Sequence, residues 1–296
     1  MSHLVSAEAF APAKINLYLH VAGPQPDGFH PLSSLMVFAD VGDRLTLEPA
    51  STLSLAIDGP FGQGLSAGED NLVLRAVRAL IARAGRPVEP VRITLSKNLP
   101  IAAGLGGGTS DAGAALRLVR DYLDLPVDDD GLEAIANDLG ADGAACFRCR
   151  PAIAEGRGER LSPAPILPRL DAVLVNPRAP SPTGAVYRAY DEAGAPGAAD
   201  RPAMPEAFED AVEAAGFFAT CRNDLEAPAV ALTPVIGDVL ETLRGEPGAL
   251  MARVSGSGAT CFALCAGDIE AETLAERIEM MRPDWWVRRC RLGDGR

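Results

Sequence analysis

The stretch PIAAGLGGGTSD, from Pro100 to Asp111, restricts this chain more than any other. Glycine stands at 104, 106, 107 and 108. Glycine gives up more backbone entropy on ordering than any other residue, so such a run belongs where positive φ or close backbone approach is needed. Before it, Val91–Leu95 alternates as a strand. After it, the apolar residues 112, 115, 116, 119, 122 and 123 trace one face of a helix, with Thr109, Ser110 or Asp111 as the expected N-cap. A strand, a glycine-rich turn and a helix start gather free N–H groups and the positive end of a helix dipole around one point, which makes a phosphate cradle. It is neither of the common ones. The G-x-x-x-x-G-K-[ST] pattern is missing, and Gly104-x-Gly106 runs on to Thr109 where the dinucleotide fingerprint has a third glycine.

The charge balance excludes other functions. With 27 Lys and Arg against 40 Asp and Glu, the net charge is -13. That field opposes nucleic acid and anionic membrane surfaces, so a phosphate ligand has to be attracted locally. Of the 27 basic residues only Lys14 and Lys97 are lysine. In an arginine-rich chain, a compact ammonium marks a place where a planar fork does not serve. Residues 13–21 alternate, with Ile15, Leu17, Leu19 and Val21 on one face and Lys14, Asn16, Tyr18 and His20 on the other. They predict a half-buried strand. Asp142 lies just past a helix stop at Gly140. His30 follows Phe29 in a turn. A second glycine pair, Gly256 and Gly258, either supports the first loop or closes a hairpin.

No apolar run reaches the roughly 18–20 residues needed to cross a bilayer. The first fourteen residues lack the basic and apolar regions of a secretory signal, so a cytoplasmic protein is expected. The Cys146-x-x-Cys149 pair has no second such pair and three histidines in the whole chain. Buried thiols are the expected reading, ahead of a metal site.

A length of 296 residues favours two domains, and the proline-rich stretch at 163–168 puts the expected boundary between 165 and 166. Further strands are expected at 35–39, 44–47, 53–57, 172–175 and 285–290, with a strand–glycine–strand unit over 251–266. Helices are expected at 71–84, 128–139, 207–216, 223–243 and 269–281. Strands mixed with helices in both halves predict an α+β fold built as two sandwiches side by side.

Three segments in order, PAKINL (12–17), PIAAGLGGGTSD (100–111) and SGSGA (255–259), resemble the three signatures of the GHMP small-molecule kinases. The stretches DGFH (27–30), LGAD (139–142) and NDLE (223–226) are similar to motifs of one branch, whose alcohol substrate carries cytidine diphosphate. The resemblance spans about residues 11–265. It implies an N-terminal ribosomal-S5-like domain on a second α+β domain, with the site in the cleft between them. It implies transfer of the γ-phosphate of ATP, carried with Mg²⁺ whose ligands the sequence does not assign. Homoserine or mevalonate kinases, or an inactive nucleotide sensor, are the alternatives on the same scaffold.

Carried over residue by residue, the resemblance makes Lys14 and Asp142 catalytic. It assigns Pro100, Ile101, Ala102, Ala103, Gly104, Leu105, Gly106, Gly107, Gly108, Thr109 and Ser110 to ATP, with Lys97 and Asn71. It assigns Asn16, Phe29, His30, Thr183 and Tyr187 to the substrate. Two departures stand out. Phe29 replaces the usual Tyr. Gly143 and Ala144 replace the usual Val-Pro after Asp142, which is expected to loosen that loop.

Overall fold

A computed structural model describes residues 7–194 and 197–295. The first six residues, part of the segment read above for a secretory signal, lie outside it, as do 195–196 in the Ala/Gly/Pro-rich loop. The strands are β1 (Ala7–Val21), β2 (Leu32–Pro49), β3 (Ser54–Asp58), β4 (Val91–Ser96), β5 (Ala152–Gly156), β6 (Arg160–Pro163), β7 (Leu170–Asn176), β8 (Ala249–Val254), β9 (Cys261–Cys265) and β10 (Trp286–Gly293). The helices are α1 (Leu72–Ala84), α2 (Gly107–Tyr122), α3 (Asp129–Leu139), α4 (Gly143–Arg148), α5 (Thr183–Glu192), α6 (Ala211–Thr220), α7 (Glu226–Leu232), α8 (Val235–Gly245) and α9 (Asp268–Met281).

The α+β expectation stands, but the strands of both halves share one sheet, in the order β3-β4-β2-β10-β7-β9-β8. The last strand makes the join. β10 pairs with β7 over Trp286–Leu292 and with β2 at Leu292 and Gly293. β1 pairs antiparallel with β2 along nearly its whole length, with register shifts between Pro12 and Lys14 and between Asn16 and Tyr18. From Ala11 to Val21 it is buried throughout, so the half-buried strand expected here is covered on both faces.

β7 shows why. Ala172 and Leu174 pack into a core with Ile15, Leu17 and Phe218, while Val173 and Val175 pack into another with Ile236, Val239 and Ile278 from α8 and α9. A third core lies between β4 and helices α1, α2 and α3, around Leu45, Ile93, Val77 and Leu116. A sheet covered on both faces reads as continuous apolar sequence instead of alternation.

Three local expectations need correction. The cap of α2 is Gly106, with φ 62°, and Thr109, Ser110 and Asp111 lie inside the first turn. The helical pattern over 223–243 breaks into α7 and α8 at Thr233–Pro234, because proline cannot continue the preceding ladder. The three short strand stretches at 35–57 are the long β2 plus β3. Helices α4 and α5 and strands β5 and β6 had no expectation. Among the described residues, no helix is long and apolar enough to cross a membrane.

One buried side chain ties β8, β1 and α6 together. Arg253 donates to Leu17 O at 2.7 Å, Phe218 O at 2.8 Å and Cys221 O at 2.5 Å. Arg253→Met keeps the apolar stem and takes the donor from the Leu17 and Cys221 carbonyls, each worth about 1–3 kcal/mol when unpartnered, while Phe218 O keeps the Cys221 N–H. Urea unfolding is expected to show a loss of about 3 kcal/mol or more. A loss within about 0.5 kcal/mol, as at an ordinary surface site, would remove this role.

Candidate active site

The glycine-rich loop, the start of β1 and the 255–259 turn converge on a cavity of about 900 Å³. Lys14 lines it from β1, Asp142 from the cap of α4, and Gly104–Thr109 from the loop. Lys14 N–H donates to Leu105 O at 2.9 Å, which fastens the loop to the strand. The Lys14 ammonium donates to Asn16 Oδ1 at 2.8 Å and stands 3.6 Å from Asp142 Oδ2. Asn16 is held in turn, its Nδ2 donating to Ser34 Oγ at 2.8 Å.

Gly106 explains the glycine requirement. A Cβ there would lie 3.0 Å from Asp142 Oδ2 and 3.3 Å from Lys14, between the two charged groups. Gly104 has φ 73°, and a Cβ on it would meet Ser255 O at 2.1 Å. Ser255 Oγ donates to Gly104 O at 3.0 Å, and Thr260 N–H donates to Ala103 O at 3.1 Å. The second glycine pair therefore braces the first loop. No side chain caps α2, so the N–H groups of its first turn are left for a ligand. Ser110 Oγ donates to Pro12 O at 2.7 Å, which ties that turn to β1.

The Asp142 loop is held closely, against the looseness expected of Gly143 and Ala144. A Cβ at Gly143 would stand 2.0 Å from Ala136 O, and Ala144 N–H donates to Asn137 Oδ1 at 3.1 Å. Asp142 is the cap residue of α4, yet its carboxylate makes no capping bond and is free to face Lys14. Beneath it, burial raises the Cys146 thiol well above its ordinary value, helped by the Asp142 charge. Cys149 Sγ donates to Cys146 O at 2.9 Å.

Lys97 lines the same cavity but its ammonium is enclosed, at 3% exposure. It donates to Asp43 Oδ2 at 2.5 Å and Asp111 Oδ2 at 2.6 Å. Asp43 Oδ1 accepts from the N–H groups of Asn98 and Leu99, so this buried triad fixes the segment that leads into the loop. Burial works against the charge on Lys97, and the two carboxylates overcome it and raise its pKa. Asn71 caps α1, its Oδ1 accepting from Val73 N–H at 2.9 Å, and borders the cavity.

Elsewhere on the cavity wall, Phe29 is half exposed, with the Arg157 guanidinium 4.1 Å from its ring centroid. His30 Nε2 is 2.7 Å from Asp191 Oδ1, and its ring lies 4.9 Å from that of Tyr187. Burial, then the Asp142 charge, pushes the Tyr187 hydroxyl up to about 12. Thr183 and Tyr187 come from α5, and Thr183 Oγ1 is bonded to Ser257 Oγ at 2.9 Å. Every residue expected from the sequence to touch nucleotide or substrate except Ser110 borders this one cavity. Asp43, Asp191, Arg157 and Ser257 were not anticipated; the bare spacing of charged residues carried no signal for them.

A glycine-rich, uncapped start of α2, with Lys14 on β1 facing Asp142 at the cap of α4, is the arrangement a small-molecule kinase scaffold calls for. Sequence comparison agrees. The GHMP kinases N terminal domain matches residues 71–149, and the GHMP kinases C terminal domain matches 201–281. A 4-diphosphocytidyl-2-C-methyl-D-erythritol kinase of Caulobacter vibrioides is 66% identical, covering 99% of this chain and 100% of the relative. That of Hyphomonas neptunium is 47% identical over 97% of both. The crystal structure of a 4-(cytidine 5'-diphospho)-2C-methyl-D-erythritol kinase superposes with a TM-score of 0.76 at 34% identity, covering 97% of this chain and 99% of that one. A homoserine kinase from Cytophaga hutchinsonii shares the fold, with a TM-score of 0.71 at 17% identity. The chain belongs to the GHMP kinases and, within them, to the 4-diphosphocytidyl-2-C-methyl-D-erythritol kinase family.

The triad generates a pH prediction. Burial pushes the Asp111 carboxyl up to about 7, with Lys97 pulling it down and Asp43 pushing it up again. A folded pKa above the ordinary 3.8 means that stability is fully present at acid pH and is lost as pH rises through about 7. Asp111→Asn removes that ionisation and leaves Lys97 paired with Asp43. Thermal melts from pH 4 to 8 are expected to show the wild type losing ground to the variant up to about pH 7 and running parallel to it above. Profiles parallel over the whole range would remove the assignment.

Proposed function

We propose that this chain transfers the γ-phosphate of ATP to the 2-hydroxyl of 4-(cytidine 5'-diphospho)-2-C-methyl-D-erythritol, a step of non-mevalonate isoprenoid precursor synthesis. The observation that carries the reading is the shared cavity. The Lys14–Asp142 pair and the uncapped start of α2 form one part of its wall, and the Phe29, His30 and Tyr187 rings form another. A phosphate donor suits the first and a nucleobase the second.

Phosphoryl transfer asks a protein mainly for positioning and charge neutralisation. The N–H groups of Gly107, Gly108 and Thr109 would hold the triphosphate, with the α2 dipole favouring its charge. Asp142 would accept the hydrogen bond of the attacking hydroxyl and take its proton as the new O–P bond forms and the bond from the γ-phosphorus to the departing ADP oxygen breaks. Lys14 would steady the Asp142 carboxylate and the charge spreading over the transferred group. Phe29 and Tyr187 offer ring faces for stacking, and His30 offers its backbone and ring.

A Mg²⁺ would travel with the triphosphate. Among the described residues, no group of three or more His, Cys, Asp and Glu side chains could hold a metal. The carboxylates around the cavity face Lys14, Lys97, His30 and Ser66. These residues do not build a dedicated metal site, so the roles above belong to the chain's own groups.

A coupled assay of ADP formation tests the reading. Turnover is expected with the cytidine substrate and not with homoserine or mevalonate; the reverse pattern would overturn it. Lys14→Arg is expected to cut kcat by roughly 10²-fold, because a displacement of about 1 Å at the reacting centre costs that much. Asp142→Asn is expected to act similarly, and the double variant to be no worse than the worse single, since the pair works as a unit. Near-full turnover of Lys14→Arg would end the Lys–Asp mechanism.

A further inference from the structure

The cations around the cavity are not equally available. Lys14 is engaged by Asn16 and Asp142, and Lys97 by Asp43 and Asp111. Arg157 is paired with Asp27 and stacked on Phe29. Arg188, on α5, is exposed and borders the cavity. Among the described residues it alone of these four makes no ion pair, side-chain hydrogen bond or ring contact.

Its direction is also defined. Gly184 lies one turn earlier, and a Cβ there would stand 3.7 Å from Arg188 Nη1. The guanidinium therefore runs back over a bare glycine toward Thr183, where α5 begins. Tyr187 next to it belongs to the aromatic end of the cavity, while Thr183 is bonded to Ser257 of the turn that braces the glycine-rich loop. Arg188 thus borders the cavity from the helix that also supplies Tyr187 and Thr183.

We propose that Arg188 holds the diphosphate of the cytidine substrate. This rests on the functional reading above and adds the residue that meets the substrate's charged middle. An anion approaching a chain of net charge -13 needs a local cation, and a guanidinium offers two parallel N–H bonds to phosphate oxygens. Lys97 is taken up by two carboxylates, and Lys14 faces Asp142 at the reacting group, so neither is placed to serve the diphosphate. The bare Gly184 lets the fork lie flat along the helix, back toward Thr183 on the cavity wall.

The experiment is calorimetric titration of wild type and Arg188→Ala with three probes: CDP, cytidine and ADP. The variant is expected to weaken CDP by roughly ten- to a hundred-fold, the loss of one charge-assisted contact, and to leave cytidine and ADP unchanged. Arg188→Lys is expected to recover part of the loss. The side chain is exposed, so an unchanged melting temperature verifies the fold. Equal CDP affinity in wild type and Arg188→Ala overturns the proposal. A loss shared equally by cytidine, or falling on ADP, overturns it too, by placing Arg188 at the base or the nucleotide donor. Failure of wild type to bind either cytidine or CDP overturns the cytidine reading itself, a different and distinguishable result.

Discussion

The contact between Gly104 and Ser255 sets how closely two loops from opposite halves of the chain approach. A methyl group on Gly104 would overlap the Ser255 carbonyl at 2.1 Å, so the loops meet only because no side chain intervenes. Once met, they are bonded by Ser255 Oγ to Gly104 O and by Thr260 N–H to Ala103 O. The same loop receives the Lys14 N–H at Leu105 O. Three backbones are thereby locked within hydrogen-bond range of one another, and Lys14 takes its place against the loop from that lock, while Asp142 is brought to it by the packing of α4 on α3. Gly106 completes it, since any Cβ would wedge between the two charges. The glycines serve both as flexible turn residues and as the absence of obstacles.

Sequence reading singled out the glycine loop and Lys14 because each rests on an unusual residue choice, whereas Asp142 came only with the family resemblance. Glycine clustered ahead of a helical pattern has few explanations, and a lysine among arginines is conspicuous. It reached most elements too, since α1, α3 and α9 carry apolar residues at helical spacing. What it missed depends on long-range approach. The helix α5 begins in the Pro180–Thr183 stretch, whose prolines read as a turn. Gly143 looked like loosening, because the Ala136 carbonyl 2.0 Å from its missing Cβ comes from a different helix. Asp43 was one acid among forty, and only the fold shows that it receives Lys97 and two N–H groups. The single sheet was hidden because β10, the last strand, is what joins β2 to β7.

The two lysines show how one residue type takes opposite roles through its partners. Lys97 is enclosed, with carboxylates at 2.5 and 2.6 Å on two sides, and its ammonium has little left to offer a ligand. Its work is to hold Asp43 against the backbone of Asn98 and Leu99, so that the strand enters the loop at a fixed angle. Buried charges of this kind survive only when every partner is in place, which makes the triad a structural commitment. Lys14 is held less tightly. Its nearest carboxylate is 3.6 Å away, and its one short bond, 2.8 Å, goes to a neutral amide. An ammonium has three donors, and this geometry leaves capacity for a reacting group. Fixed in place by Asn16 yet not consumed by Asp142, Lys14 can follow charge as it moves from the hydroxyl to the transferred phosphate. A tighter Lys14–Asp142 contact would stabilise the resting pair and so raise the cost of reaching the transition state.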